Sequence, residues 1–122
     1  ETFIPFFELT DEERYVVECL VMGEAKGESD LGMRLVAQCI LDACVYEDIR
    51  PQGVKAKYNG WDENVSEEVK NAVSDVFDYG NRPVYDNIIW FYAPKYSKGK
   101  FHQTQKFIIE EGGHRFYAPW ED

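Results

Sequence analysis

The sequence predicts an α+β domain, with about three helices followed by a small antiparallel β-sheet near the C-terminus. Three observations carry that expectation. Helix-start signals precede each stretch of helical apolar spacing, and these stretches end near Gly80. Beyond Asn87 the pattern changes to continuous β-branched and aromatic runs, at residues 88–92 and 107–109. Gly112 and Gly113 then sit where a tight hairpin would return the chain into Arg115, Phe116 and Tyr117.

The first helix begins at a capping box, Thr10 with Glu13 three residues on, and Asp11 and Glu12 favour its first turn. Val16, Val17, Cys19, Leu20 and Ala25 recur at helical spacing, so the helix should run to about Lys26, with Gly27 as a left-handed cap. Ser29 or Asp30 caps a second helix whose core face is Leu35, Val36, Cys39, Ile40 and Ala43. Its short connection predicts antiparallel packing on the first. Residues 48–64, with Pro51, Gly53, Asn59 and Gly60, read as a long loop whose large rings are Tyr58 and Trp61. Loops longer than ~12 residues in compact domains are often functional. Ser66 caps a third helix from Glu67 to about Tyr79, with Val69, Ala72, Val73, Val76 and Phe77 on one face and Gly80 ending it.

At 122 residues, residues 1–122 make one domain. Thirteen Lys and Arg against 23 Asp and Glu give a formal charge of −10, which excludes both a phosphate-binding nucleic-acid surface and a polybasic membrane surface. No apolar run approaches the ~20 residues that span a bilayer, so no membrane insertion is expected. The first nine residues lack a basic segment, and Pro5 breaks the apolar patch from Phe3 to Phe7, so they read as a trimmed domain start rather than a signal peptide. Cys19, Cys39 and Cys44 lie in apolar helical faces and should be buried free thiols. Neither His102 nor His114 stands at zinc-site spacing from them, so no metal or cofactor is expected. The 16% aromatic content exceeds what a small core needs and hints at a groove whose rings pack on sugar faces.

Glu24, within Gly23, Glu24, Ala25, Lys26, Gly27 and Glu28, is the most informative position. It falls in the last turn of the first helix, where unsatisfied carbonyls disfavour a second negative charge and so suit a carboxyl group that must carry a proton. An ordinary solvated helix-end Glu is the competing reading. Glu28, four residues on, would pair with Glu24 as in two-carboxylate glycosidases if both lined one cleft, but a helix break at Gly27 leaves their separation open. Tyr92, Tyr96 and Tyr117 offer hydroxyls and ring faces to sugars, or pack in the core. His114, at the hairpin exit, hydrogen-bonds across the sheet or lines a cleft wall rather than serving as a base. Trp90 and Phe91 alternate in direction along a strand, so one of the two faces a cleft. That cleft is expected between Glu24, the segment 88–96 and the strand holding residues 114–117.

The stretch Val21, Met22, Gly23, Glu24, Ala25, Lys26, Gly27, Glu28, then Gly32, Val36, Ala37 and Leu41, resembles the signature of the SleB-type cell wall hydrolases, the spore cortex-lytic family. Phe91, Tyr92, Ala93 and Pro94, followed by Gly113, His114, Arg115, Phe116 and Tyr117, resemble that family's later motifs. The resemblance implies a lysozyme-like or resuscitation-factor-like catalytic domain. It would cleave peptidoglycan between N-acetylmuramic acid and N-acetylglucosamine, as a lytic transglycosylase using Glu24 alone as acid and then base. Glu28, Tyr92, Tyr96, His114 and Tyr117 are then candidate substrate contacts. Peptidoglycan glycan strands are the implied partner, with a wall-binding domain elsewhere in a longer protein, and the setting is secreted or wall-associated, a phage lysin included. Lys26 and Ser29 stand where the family usually has Arg and Pro, and Asp42 and Ala43 replace its usual Asn and Arg, so local scaffolding should differ. A lysozyme-type hydrolase with two carboxylates and a non-catalytic glycan-binding module are the alternatives. A cysteine peptidase or amidase fits poorly, because burial raises a thiol's pKa.

Overall fold

Helix α1 spans Asp11–Ala25 in the computed structural model, which describes residues 2–120; Glu1, Glu121 and Asp122 lie outside the described residues. Its capping box forms as the sequence predicts: Glu13 N–H donates to Thr10 Oγ1 at 3.1 Å and Thr10 N–H to Glu13 Oε1 at 2.9 Å. Lys26 is the C-cap, and Gly27 follows with φ +81°. Helix α2 runs Asp30–Glu47, capped by Ser29, whose hydroxyl accepts from Gly32 N–H at 3.0 Å.

The segment expected as one long loop carries structure of its own. Pro51 opens a short helix α3, Pro51–Val54, which leads into a 3₁₀ turn, Lys55–Lys57. Pro suits the first helical position, and Val54 is fully buried, so tertiary packing organises a stretch too short to show periodicity. The third expected helix is α4, Glu67–Val73, continued by a π-helical turn, Ser74–Asp78. Ion pairs tie that turn to both long helices, Arg14 to Asp78 at 2.7 Å and Arg34 to Asp75.

Three strands, β1 (Trp90–Tyr92), β2 (Lys106–Glu111) and β3 (His114–Ala118), form an antiparallel sheet in the order β1-β3-β2. The β2–β3 hairpin turns at Gly112, whose φ is +60°, with a register shift between Phe107 and Ile109. Strand β1 is shorter than the apolar run that announced it. Ile88 and Ile89 before it are buried; Ile88 N–H turns to Asp42, while Ile89 N–H still donates to Tyr117 O of β3 at 3.1 Å. Phe116 and Ile88 join Leu20, Leu35, Ile40, Leu41 and Phe77 in one core, so the sheet packs on the helices through these side chains.

The approach to β1 is held by α2. Gln38 Nε2 donates to Val84 O and Asp86 O, and Gln38 Oε1 accepts from Val84 N–H. Asp42 accepts from Ile88 N–H at 2.9 Å and pairs with Arg82 at 2.5 Å. A buried carboxylate thus fixes the chain as it enters the sheet.

Candidate active site

Glu24 occupies the last turn of α1 and lines a groove of about 600 Å³. Gly60 N–H donates to its Oε2 at 2.6 Å. This contact exists because two backbones touch. A Cβ on Gly23 would stand 2.2 Å from Trp61 N and 2.4 Å from Gly60 C; one on Gly60 would stand 2.6 Å from Gly23 C and 2.8 Å from Glu24 Oε2. Only residues without a side chain allow that crossing. Asp62 N–H donates to Cys19 O at 3.1 Å, which straps the segment to α1 just after Gly60, and within the segment Lys55 Nζ lies 4.0 Å from the Trp61 ring centroid.

Tyr58 and Asn59 line the groove beside Glu24, and the opposite wall comes from residues 89–93 with Tyr96, Ser97, His102 and His114. Phe91 organises that wall. Its ring stacks on Tyr58 at 5.7 Å and on Phe116 at 5.3 Å, and meets the His114 ring edge-on at 5.0 Å. Burial pushes the Tyr58 hydroxyl well above the usual phenol range, and Cys39 and Glu24 add to the shift, so it stays neutral. Burial pushes His102 down, which favours a neutral ring in the groove. Glu47 and Lys57 also line it, paired with each other.

Of the residues the sequence singled out, Glu24, Tyr92, Tyr96 and His114 come together in this groove. Glu28 and Tyr117 do not line it. Glu28 folds against the hairpin turn, where a Cβ on Gly112 would fall 1.8 Å from its Oε1, and that oxygen has no hydrogen-bond partner among the described residues. Beside it, Ser29 Oγ donates to Glu111 Oε2 at 2.8 Å, tying α2 to the hairpin. Tyr117 is 3% exposed, with its ring stacked on Tyr92 at 5.9 Å and edge-on to Phe107 at 5.6 Å. Both Trp90 and Phe91 reach the groove, because it runs along β1 rather than over one face of the sheet.

Sequence reasoning missed Gly60, Asn59, Lys57, Glu47 and His102. Gly23 and Gly60 lie 37 residues apart in the chain, so nothing local announces their contact. A small residue in the turn before the expected catalytic Glu was the one available hint.

All three thiols are buried. Desolvation raises Cys19 and Cys39, and pushes Cys44 up to about 11, which disfavours the thiolate a peptidase needs. Among the described residues no three His, Cys, Asp or Glu side chains converge to hold a metal ion, and no helix is long and apolar enough to cross a membrane.

No protein-family model matches the sequence, and no curated protein matches it. Two solved structures do match in three dimensions. The catalytic domain of the germination-specific lytic transglycosylase SleB from Bacillus anthracis is similar with a TM-score of 0.77 at 22% identity, over 90% of this chain and 97% of that one. The catalytic domain of the Bacillus cereus SleB protein is similar with a TM-score of 0.79 at 23% identity, over 97% of this chain and 98% of that one. The arrangement of helices and small sheet is thus the fold of the SleB catalytic domains.

Proposed function

We propose that this domain cleaves the glycosidic bond between N-acetylmuramic acid and N-acetylglucosamine in peptidoglycan, as a lytic transglycosylase with Glu24 as its single acid and base. The observation that carries the reading is the held carboxyl group. Gly60 fixes Oε2, and Oε1 carries no protein hydrogen bond among the described residues, in a groove walled by aromatic and hydroxyl-bearing side chains. The likeness in fold to a domain described as a lytic transglycosylase supports the same chemistry.

The step balances without water. Protonated Glu24 gives its proton to the glycosidic oxygen as the bond from that oxygen to muramic C1 breaks, which releases N-acetylglucosamine with a free 4-hydroxyl. The resulting carboxylate takes the proton of the muramic 6-hydroxyl, whose oxygen bonds to C1 and closes a 1,6-anhydro ring. The neutral Tyr58 hydroxyl beside Glu24 keeps a second negative charge away from the carboxylate while it forms.

A two-carboxylate hydrolase needs a second acid facing the same sugar. The other carboxylate lining the groove, Glu47, is neutralised by Lys57, and Glu28 lies against the hairpin, so the single-glutamate route is favoured. Such an enzyme works where its polymer is, at the cell wall, and a wall-binding domain elsewhere in a longer protein would hold it there. Digestion of purified peptidoglycan followed by mass spectrometry tests the reading. Anhydro-muramic ends, one water lighter than reducing ends, are expected. Reducing ends would show a hydrolase, free peptides an amidase, and intact glycan a binding module.

A further inference from the structure

A glycan strand is a polymer and extends past the bond being cut on both sides, so the groove must continue into surfaces that meet further sugars. On one side it runs along Trp90, and there the structure places three rings from three separate segments. Tyr46, in the last turn of α2, stands edge-on to Trp90 with ring centroids 6.4 Å apart, and Phe101 stands edge-on to Trp90 at 5.2 Å. Edge-on contact buries one face of one ring in each pair and leaves other faces uncovered. Tyr46 is 59% exposed and Phe101 52% exposed, so neither ring serves the core. Glu47 follows Tyr46 in the chain, and its ion pair with Lys57 lines the same groove as Trp90. Exposed ring faces bordered by fixed charged groups suit a pyranose, which presents an apolar C–H face together with hydroxyl and acetamido groups.

We propose that Tyr46, Trp90 and Phe101 form an outer glycan subsite that continues the groove beyond the bond Glu24 cuts, a proposal that rests on the peptidoglycan reading above. Its occupant is a sugar of the same strand, because Trp90 and Glu24 line one continuous groove and a chain threading it meets the rings next. Lys57 is the one Lys or Arg among the groove-lining residues and offers an ammonium to sugar oxygens, in a chain whose net charge is −10. Binding there is remote from the reacting atoms, so it lowers KM for long strands without changing the chemical step.

The test uses glycan strands freed of their peptides and fractionated by length, with the double substitution Tyr46→Ser and Phe101→Ser. Both rings are exposed, so their loss leaves the core intact; Trp90→Ala, with melting checked, is the second variant. The unaltered protein should cleave long strands at a lower KM than a tetrasaccharide, and the double variant should raise KM for long strands about tenfold, erasing the advantage of length. Calorimetric binding of the same strands to Glu24→Gln reads the subsite without cleavage. If the double variant keeps the full advantage of length, the subsite is overturned and the proposed function stands. If strands bind through these rings and are never cut, the function is overturned and the subsite stands.

Discussion

A carboxyl group that gives a proton to one oxygen and takes one back from another must stay in place through both transfers. For the role proposed for Glu24, a single backbone amide does that holding, and two glycines allow the amide to reach it. Glu24→Gln keeps shape and hydrogen bonding but removes the transferable proton, so it should lose ~10²–10⁴-fold in rate on purified peptidoglycan while melting as the parent does. Glu28→Gln should cost far less, since Glu28 faces the hairpin turn. Equal losses from the two substitutions would instead support a two-carboxylate hydrolase. Gly60→Ala drives a methyl group into the Gly23 backbone and the Glu24 carboxylate. The expected result is a loss of ~1–3 kcal/mol in stability, with activity falling further than unfolding explains when assayed well below the melting temperature.

At the scale of elements, the start of α1 does two jobs through one side chain. Glu13 closes the capping box and also accepts from Arg50, at 2.8 Å on each of its oxygens, while Arg50 reaches back to Glu8 O. The Arg50 hydrogen bonds hold the Glu13 carboxyl down at about 2, against 4.5 for the free group. A depressed carboxyl adds stability that is fully present above pH 4.5 and fades as the pH falls toward about 2. Glu13→Gln should therefore lower the melting temperature at neutral pH and converge with the parent near pH 2. The effect at neutral pH is expected at roughly 1–2 kcal/mol, since Arg50 is exposed and solvent screens the pair. Parallel melting curves at every pH would show that Glu13 contributes shape alone.

Across the whole molecule, the helices and the sheet are joined by the buried Asp42, and this tie responds to pH with the opposite sign. Burial raises its carboxyl above the usual value, and Arg82 pulls it part of the way back. A raised carboxyl costs stability as the pH climbs from the unfolded value, 3.8, through the folded one. Arg82→Met removes the compensating charge, so its stability should drop increasingly below the parent's as the pH rises from about 4 toward neutrality, by ~3 kcal/mol at the top. Thermal melts across that range check it, and a deficit that does not change with pH would refute it. Excess EDTA should leave clearance of peptidoglycan unchanged, because the proposed chemistry runs on a carboxyl group alone. Activity lost to EDTA and restored by zinc or calcium would overturn that route.

Elements that rest on contacts close in the chain were legible in the sequence. The Thr10–Glu13 box, the Ser29 and Ser66 caps, the helical faces and the Gly112 turn each act within a few residues, where propensity and spacing decide the outcome. Glu24 was legible as a candidate because its place at a helix end is local too. Contacts between distant segments belonged to the tertiary structure. Pro51 to Lys57 became helical once Val54 found the core, Ile88 gave its N–H to Asp42 instead of the sheet, and Glu28 turned away from the groove to meet the hairpin. The Gly23–Gly60 crossing, the Gln38 and Asp42 anchor and the Tyr46–Trp90 ring pair join residues about 37 to 46 apart in the chain. Local spacing records which face of an element is apolar, but not which partner covers it, because that choice is made by packing and backbone approach among segments that meet only when the chain is folded.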